Sequence, residues 1–362
     1  MEKVKCNLCG ESNFLLLHKI DVTEKNLKFY LYSRNIPNKK TMTGELAIVK
    51  CKNCGLVYAN PRCTNRELKL LYSSNKHLGG NWRNWPYLFD LSQPDDLQVK
   101  KGYDAKYLNN VAKWRRWRVD FVERYRKKYL KTTVKNTQLL DVGCGYGAFL
   151  KAASDFGYDV YGCDLVKDRV SIAKKHYKLK NLKKGSPEKV FGGKKFNVIT
   201  LWDVVEHLPD PKKLLISLNK MLKKNGLIFI YTMSLDSWSY RLFGKCWYYI
   251  DPIGHLYYFS DKTIRKLIET SGLYYLGKEL DISRSTKPFY IIKAFKSGLE
   301  NYIIFNAYQT SGFWQNIIKK VLKLFFKPIP EKKLKKRMEN LCPYIFPIRY
   351  KDSFIYAGQK RK

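Results

Sequence analysis

Four cysteines near the amino terminus have the spacing of metal ligands. They form two C-x-x-C pairs, Cys6 with Cys9 and Cys51 with Cys54, and a glycine follows each pair. Two residues between thiolates let both sulfurs face one ion, and two pairs complete a tetrahedral shell. Because four thiolates leave no open position, we predict a structural rather than a catalytic zinc ion (Zn2+). Cys63 lies nearby, but we expect it to be a bystander.

A second group of residues could hold a ligand through the backbone. The stretch LLDVGCGYGAFL (139–150) places Gly143, Gly145 and Gly147 between an apolar run and an apolar helical pattern. Glycines there let the chain turn tightly and approach a ligand closely. With Ala148 they give the spacing G-x-G-x-x-A, which is a dinucleotide fingerprint. The loop therefore predicts a nucleotide-like ligand.

Two aspartates discriminate between the ligands that such a loop could hold. Asp164 ends the next predicted strand, and its carboxylate suits the ribose hydroxyls of any adenosine ligand. Asp141 lies at the mouth of the loop, where the pyrophosphate of a dinucleotide would be repelled by several kcal/mol in a partly dry site. S-adenosylmethionine combines an adenosine with a positively charged amino nitrogen and sulfonium. It therefore fits both aspartates better than a dinucleotide does.

The elements that must position these residues follow from the central part of the chain. From position 138 onward, strand signals such as QLLDVG, DVYGCD and FNVITLWDVV alternate with helix signals. This alternation predicts a parallel sheet with helices on both faces. Ligands bind such sheets at the carboxyl ends of the strands. The glycine loop, Asp164 and LWDVVEH all fall at those ends.

These stretches resemble successive motifs of class I S-adenosylmethionine-dependent methyltransferases. The resemblance spans roughly 139–232 and extends through GHLYYFS (254–260) to a last strand, SFIYAGQK. The C-x-x-C module followed by GLVYANPR is similar to a subgroup of bacterial small-molecule and sugar methyltransferases with an amino-terminal zinc module. The resemblance implies a Rossmann-like α/β fold with seven mostly parallel strands and a small amino-terminal zinc module. The long segment before the last strand adds a carboxyl-terminal helical insert to this fold.

The resemblance also implies roles for individual residues in binding S-adenosylmethionine. The backbone of the loop would hold its amino-acid end through Gly143, Cys144, Gly145 and Gly147. Asp141 would orient the amino group. Asp164 would bind the ribose hydroxyls, and Leu165 would lie against the adenine.

Further residues after the third and fourth strands would complete the cofactor pocket. Ser186 or Glu188 would contact the adenine edge, and Trp202 and Asp203 would line the pocket at the end of their strand. A Trp face near a sulfonium adds cation–π attraction. The alternative for Trp202 is simple packing under the loop.

Two of the five histidines could assist methyl transfer, which is an in-line displacement that requires alignment of the nucleophile. His207 follows Glu206 in LWDVVEHLPDP, and His255 lies in DPIGHLYYFS, beside several aromatic residues. A hydroxyl or enol nucleophile benefits from a base whose pKa is near the working pH. We expect one of the two to accept the substrate proton and favour His255. The alternative is that Glu206 and His207 cap the following helix or fix the strand end.

Changes in composition divide the chain into five segments. They are a zinc-binding module (1–75), a linker with a basic helix (76–136), the methyltransferase core (137–285), a basic amphipathic helical insert (286–349) and the last strand of the core (350–362). In the linker, AKYLNNVAKWRRWRVDFVERYRKKYL predicts a helix with one apolar and one basic face. That helix either caps the active site, binds an anion or packs on the core.

The insert includes an amphipathic stretch at 313–327. Apolar residues such as Trp314 and Phe325 share one face, and lysines occupy the other. Such a helix is typical of attachment to an anionic membrane surface. The alternative is a lid that folds back over the substrate.

The charge balance and the cysteines limit the class of protein. With 69 Lys and Arg against 31 Asp and Glu, the net charge is +38, which either attracts polyanions or forms a solvated basic surface. We expect no signal peptide in the charged residues 1–10, and no membrane span, because no apolar run reaches about 18 residues. Reduced cysteines favour the cytoplasm, with or without peripheral attachment at the inner face of the membrane.

These features predict methyl transfer to oxygen or carbon of a small molecule or of a glycan- or lipid-linked precursor. Two alternatives stay open: an RNA methyltransferase, and a non-catalytic zinc-bearing binding protein on a methyltransferase fold. Nucleic acid is disfavoured because LWDVVEHLPDP lacks the Asn/Asp-Pro-Pro-Tyr type of sequence used on exocyclic base nitrogens, and no RNA-binding module is recognisable. The intact glycine loop and Asp164 disfavour the non-catalytic alternative.

Overall fold

A computed structural model of the chain describes residues 1–20, 46–68, 105–244, 247, 249–280 and 353–360. Within these ranges, every helix is too short or too polar to span a bilayer. The amphipathic stretch predicted at 313–327 lies outside the described residues. Most of the loop expected between the two C-x-x-C pairs also lies outside them.

In the part of the chain that the structure describes, eleven strands form two sheets. The strands are β1 (Phe14–Ile20), β2 (Leu46–Cys51), β3 (Val57–Ala59), β4 (Gln138–Val142), β5 (Asp159–Asp164), β6 (Leu182–Lys184), β7 (Phe196–Trp202), β8 (Leu222–Met233), β9 (Tyr257–Tyr258), β10 (Leu273–Leu280) and β11 (Ser353–Lys360). The larger sheet has the order β10-β11-β8-β7-β4-β5-β6. Its strands are parallel from β8 to β6, and β11 runs antiparallel to both β8 and β10. The predicted seven-stranded, mostly parallel sheet is therefore confirmed.

Helices cover both faces of this sheet, which is why all seven residues of β7 are buried. They are α1 (Ala105–Trp114), α2 (Arg116–Tyr129), α3 (Ala148–Phe156), α4 (Lys167–Tyr177), α5 (Pro187–Val190), α6 (Pro211–Met221), α7 (Trp238–Phe243) and α8 (Asp261–Thr270), with a 3-10 turn at Val205–His207. The sequence predicted a single helix before the core. This prediction is wrong in one respect, since the helix is divided into α1 and α2 at Arg115. The Arg115 N–H is shared between the carbonyls of Val111 and Ala112, as is common where a helix ends.

The smaller sheet joins the amino-terminal module to the core. Its order is β1-β2-β3-β9, all antiparallel, and β9 belongs to the segment that follows His255. One apolar core accordingly runs from module residues such as Ile48 and Leu56 to Phe259 and Ile264 of the large domain. The module is thus packed against the segment expected to contact the substrate.

Candidate active site

The glycine loop leaves β4 and is tied to β5 by backbone hydrogen bonds. The Gly143 N–H donates to the Cys163 carbonyl (2.8 Å), and the Gly145 N–H donates to Asp164 Oδ2 (3.0 Å). Gly143 has a positive φ of 72°, and a Cβ on it would lie 2.7 Å from Val204 Cγ2. Gly145 (φ 52°) has no atom within 4 Å of such a Cβ among the residues that the structure describes. The loop therefore presents an open backbone cradle at Gly145, suited to close approach of a ligand.

Two other loop residues support this cradle from below. Gly147 (φ 75°) begins α3, and a Cβ on it would lie 3.0 Å from the Cβ of Ala173. The buried Cys144 donates its N–H to the Cys163 carbonyl (3.0 Å). Burial raises the pKa of the Cys144 thiol well above its usual value. Cys144 is therefore a neutral packing residue that contributes its backbone to the loop.

The carboxylate of Asp164 is held in one orientation at the end of β5. Its Oδ2 accepts from the Gly145 N–H and its Oδ1 accepts from the Val166 N–H (2.8 Å). Each oxygen keeps a further lone pair for a ligand hydroxyl. Beside it, the large apolar side chain of Leu165 is 63% exposed. The oriented Asp164 carboxylate can accept hydrogen bonds from the ribose hydroxyls of an adenosine, and the exposed side chain of Leu165 beside it can pack against the adenine.

Asp141 lies beneath the loop. It is 2% exposed, and its Oδ1 accepts a 2.7 Å hydrogen bond from the Thr200 hydroxyl. Burial raises its pKa to about 7, although the Thr200 hydrogen bond and the charge of Arg118 act in the opposite direction. Near neutral pH its charge is therefore sensitive to a cation bound in the loop above it.

Trp202 is buried beside the helix that follows the glycine loop. Its ring makes an edge-to-face contact with Phe149 at 5.0 Å. The Cζ atom of Arg118, on α2, lies 4.5 Å from the Trp202 ring centroid and 4.9 Å from that of Tyr231. Arg118 Nη2 also forms an ion pair with Asp203 Oδ2 (3.3 Å). A protein cation thus occupies one cation–π position over Trp202.

Asp203 follows β7 with a left-handed backbone (φ 57°). This conformation costs a non-glycine residue about 1 kcal/mol and persists where the surroundings impose it. Here the Asp203 N–H donates to the Tyr231 carbonyl (3.0 Å), while the side chain meets Arg118. The strained backbone therefore directs a carboxylate to the edge of the sheet where the glycine loop lies.

Ser186 lies near Asp164, whereas Glu188 points away from the core. The Gly185 N–H donates to the Asp164 carbonyl (2.9 Å). The half-buried Ser186, next in the chain, is therefore held close to Asp164, the candidate for binding the ribose. Glu188 is exposed on α5. Of the two alternatives for the adenine edge, this placement favours Ser186.

The two candidate base residues meet in space. The rings of His207 and His255 lie 4.8 Å apart between centroids. Nδ1 of His207 is 2.7 Å from the Gly254 carbonyl, and Nδ1 of His255 is 2.8 Å from the Tyr249 carbonyl. Since a carbonyl only accepts, each Nδ1 carries the proton in the neutral ring, and each Nε2 carries the lone pair. Both histidines therefore have the tautomer that a base acting through Nε2 requires.

Glu206 fixes the strand end and does not cap the following helix. The cap of α6 is Asp210, whose side chain accepts from the Lys213 N–H (2.9 Å). The Glu206 carbonyl instead accepts from the Leu256 N–H (2.7 Å). Its carboxyl group is buried, and burial together with the nearby charge of Asp203 raises its pKa well above the usual range. The segments that bear the two histidines are thus joined directly.

The four amino-terminal cysteines converge on one point. Their sulfur atoms all lie within 4.8 Å of one another; Cys6 and Cys54 are 3.4 Å apart, and Cys9 and Cys51 are 3.5 Å apart. Four sulfurs around one zinc ion at about 2.3 Å would be separated by about 3.8 Å. The arrangement therefore fits a single tetrahedral ion, with each C-x-x-C pair supplying two ligands.

The backbone after each pair has the same form. The N–H of Gly10 donates to the Cys6 carbonyl (2.8 Å), and the N–H of Gly55 donates to the Cys51 carbonyl (3.0 Å). Both glycines have a positive φ, 74° and 81°. Cys63 is buried outside the four-sulfur cluster, as expected of a bystander.

Sequence reasoning did not find Arg118 or Thr200 as members of the site. Arg118 is one of many basic residues in its helix, and no local signal distinguishes the one that turns inward. Thr200 alternates with apolar residues of β7, and only the pairing of Asp141 with Thr200 across β4 and β7 brings it to the carboxylate.

The central part of the chain matches known methyltransferases. Residues 113–277 match the methyltransferase domain family. The ubiquinone biosynthesis O-methyltransferase of Pelagibacter ubique is 39% identical over 111 residues, which are 30% of this chain and 46% of that enzyme. The enzyme of the same name from Coxiella burnetii is 23% identical over 228 residues, 55% of this chain and 97% of that one. A crystal structure of an S-adenosylmethionine-dependent methyltransferase from Clostridium acetobutylicum aligns with a TM-score of 0.40 and 15% identity, over 74% of this chain and 96% of that one.

Residues 113–277 are therefore a methyltransferase domain. This domain supports S-adenosylmethionine-dependent methyl transfer as the activity of the chain. The first of these relatives is matched over less than half of its own length. The four cysteines lie outside residues 113–277, which match the methyltransferase domain.

Proposed function

We propose that the chain transfers the methyl group of S-adenosylmethionine to an oxygen atom of a small molecule or of a glycan- or lipid-linked precursor. One observation carries this proposal: a histidine pair lies at the same sheet edge as the open glycine cradle. Val204 contacts the loop at Gly143 and directly precedes the turn that bears His207. The relatives named O-methyltransferases support oxygen as the acceptor atom.

The donor site is built from the residues around the cradle. S-adenosylmethionine, when bound, supplies an electrophilic methyl group on its sulfonium. The Gly145 backbone admits the amino-acid end, and Asp141 below it attracts the amino group. Arg118 offers a positive charge to the carboxylate end. Asp164 accepts the ribose hydroxyls, and Leu165 covers the adenine.

The histidine pair accepts the proton of the acceptor hydroxyl. We assign this role to His255, whose Nδ1 is held by the Tyr249 carbonyl, with His207 beside it. The carbonyl contacts orient both rings, so little reorganisation accompanies proton transfer. A positioned base contributes about 10²- to 10⁴-fold to such reactions.

We further propose that the four thiolates of the amino-terminal module hold a structural zinc ion. Their convergence and the matched backbone turns support it. The membrane contact of 313–327 and a location in the cytoplasm or at its membrane stay predictions.

The test begins with the purified protein, methyl-labelled S-adenosylmethionine and fractionated extract of its own cells. Label should enter the small-molecule or organic-soluble lipid fraction, in a linkage with the chemistry of a methyl ether. His255→Gln should then lower turnover by about 100-fold or more, and His207→Gln by less. His176→Gln, on the outer helix α4, is the matched control and should have no effect.

Other results would replace the proposal with an alternative. Label found only in nucleic acid would make the chain an RNA methyltransferase. Failure to bind S-adenosylhomocysteine would favour the non-catalytic binding protein. Full turnover with an unchanged pH profile in both site variants would exclude a histidine base.

A further inference from the structure

Arg62 of the amino-terminal module reaches into the large domain. It is buried, and its Nη1 donates to the Pro209 carbonyl (2.8 Å) and to the Tyr257 hydroxyl (2.9 Å), which are 147 and 195 residues away in the chain. Tyr257 donates its own proton to the same Pro209 carbonyl (3.0 Å). The Nε of Arg62 donates to Glu2 Oε1 (3.0 Å) within the module. One guanidinium thus links three segments of the chain.

The two segments that Arg62 joins are those that bear the histidine pair. Pro209 lies two residues after His207, and Tyr257 lies two residues after His255. A guanidinium is planar and always charged, so it fixes the direction of each hydrogen bond as well as its length. Arg62 therefore restrains the two segments relative to each other.

A backbone path reinforces the same connection. The Ala59 N–H, at the end of β3, donates to the Leu256 carbonyl (2.9 Å). The Leu256 N–H in turn donates to the Glu206 carbonyl (2.7 Å). Leu256, which lies between His255 and Tyr257, is thus hydrogen-bonded to the module through its carbonyl and to the turn that bears His207 through its N–H.

We propose that Arg62 is a positioning residue that holds His207 and His255 in register, so that the amino-terminal module forms part of the acceptor side of the active site. The inference rests on the proposed function, because it gives the histidines their role. Arg62 touches neither ring and acts through Pro209, Tyr257 and the strand β9. Without it, the module would still cover the apolar core, but the two segments would lose the charged contact that fixes their spacing.

Tyr257 offers a gentler perturbation of the same contact. Burial raises the pKa of its hydroxyl to about 12, so the group stays a proton donor over the working pH range. Tyr257→Phe removes the bonds to Arg62 and Pro209 through the hydroxyl but leaves the direct bond between Arg62 and Pro209. Its effect should therefore have the same character as that of Arg62→Ala and be smaller.

The experiment compares Arg62→Ala, Arg62→Lys, Tyr257→Phe and the control Arg66→Ala, which removes an exposed arginine from the same segment. Zinc content and the Kd for S-adenosylhomocysteine are measured first and should match the wild type in all four. Hydrogen exchange is then followed in peptides that cover 204–210 and 252–259. Turnover is measured with the acceptor fraction found by labelling.

In Arg62→Ala, exchange in both peptides should be faster, and kcat should fall by about 10- to 100-fold with an unchanged KM for the donor, because small displacements of catalytic groups cost that much. Arg62→Lys should restore part of the protection and of kcat. The Tyr257→Phe variant should lie between Arg62→Ala and the wild type. The control should equal the wild type in both measurements.

Two results would overturn the inference. One is wild-type exchange and kcat in Arg62→Ala. The other is a loss of kcat that is matched by loss of zinc or of S-adenosylhomocysteine binding, because a general disruption of the fold would explain it. Failure of the proposed function would be seen separately, as absence of methyl transfer by the wild-type protein, and hydrogen exchange would still report the positioning contact.

Discussion

The site has a donor side, formed by the glycine loop, Asp141 and Asp164, and an acceptor side, formed by His207, His255 and the segments that bear them. The two sides are held together in different ways. On the donor side, Gly145 and Asp164 are 19 residues apart in the chain, and they meet because β4 and β5 are adjacent parallel strands. On the acceptor side, Arg62 reaches Tyr257 across 195 residues. On the first side the contact between the loop and Asp164 lies within one β-α-β unit, whereas on the second side the contact joins segments that no local pattern connects.

The two sides also pack on different apolar clusters. Phe149 and Trp202, under the glycine loop, belong to the cluster on one face of the large sheet. The module and β9 belong to the cluster that includes the opposite face. Because Phe149 and Trp202 belong to a different cluster from the module, a change that disrupts the module should leave much of the donor side intact.

The largest effect is expected when one of the four thiolates of the amino-terminal module is removed. Cys51→Ser should abolish stoichiometric zinc binding and unfold the module, since binding of a structural zinc ion contributes about 10–16 kcal/mol of apparent free energy in small zinc domains. We expect turnover to be lost, because β9 and the histidine pair lose their support. The S-adenosylhomocysteine Kd, measured by calorimetry well below the melting temperature, should change little.

Cys63→Ser is the matched control for that variant. It alters a buried cysteine of the same module that lies outside the four-sulfur cluster, so zinc content should stay at one ion per chain. If Cys51→Ser instead abolished cofactor binding along with turnover, the two sides would be one cooperative unit, and the comparison would fail.

A smaller effect is expected from the converse change on the donor side. Asp164→Ala leaves the N–H groups of Gly145 and Val166 without their acceptor and removes the contact to the ribose diol. The Kd for S-adenosylhomocysteine should rise by about 100-fold, the loss expected for two hydrogen bonds to a charged group. Asp155→Ala removes an exposed carboxylate from α3 and should leave the Kd unchanged.

Zinc content and the exchange of peptides around His255 should stay at wild-type values in Asp164→Ala. Faster exchange in the peptides around His255 would show that the acceptor side depends on the donor side. The donor side would then be independent of the acceptor side, but the reverse would not be true.

The same contrast explains how far the sequence alone could predict the site. The strands β4, β5 and β7, and with them Asp164 and the glycine loop, follow from local periodicity and turn residues. The division of one predicted helix at Arg115 does not, because the residues on both sides of it are equally good helix formers. Arg118 and Arg62 were also missed, since a buried arginine has the same sequence signature as a solvated one.

The acceptor side shows a second limit. His207 and His255 were selected by type and by their place after strands, and the structure brings them together. What connects them, the bonds of Leu256 to Ala59 and to Glu206, is backbone hydrogen bonding. Every residue has a backbone donor and acceptor apart from proline, so residue types alone do not reveal such a link.

The smallest expected change in donor binding concerns pH and Asp141, whose titration also affects stability. Burial raises the pKa of Asp141 to about 7 from its ordinary value of 3.8. Between about pH 4 and 7 the folded chain therefore retains a proton that the unfolded chain has released. The free energy of unfolding therefore falls as the pH rises through this window, and the fall is complete above about pH 7.

The variant Asp141→Asn keeps a hydrogen-bond acceptor for Thr200 but has no carboxyl group that titrates. The free energy of unfolding of the wild type, relative to this variant, should fall from pH 5 to pH 7 in urea titrations.

Binding of the donor should have the opposite pH dependence, because a cationic amino group favours the ionised form of Asp141. The wild-type affinity for S-adenosylhomocysteine should rise by about three- to tenfold between pH 6 and pH 8, the range over which a group with a pKa near 7 ionises. The affinity of Asp141→Asn should be flat over that range. An equally steep rise in the variant would assign the dependence to another group and would remove Asp141 from contact with the amino end of the donor. Asp141 would then only stabilise the end of β4 through Thr200, and the open cradle at Gly145 would attract the donor by shape and by Asp164 alone.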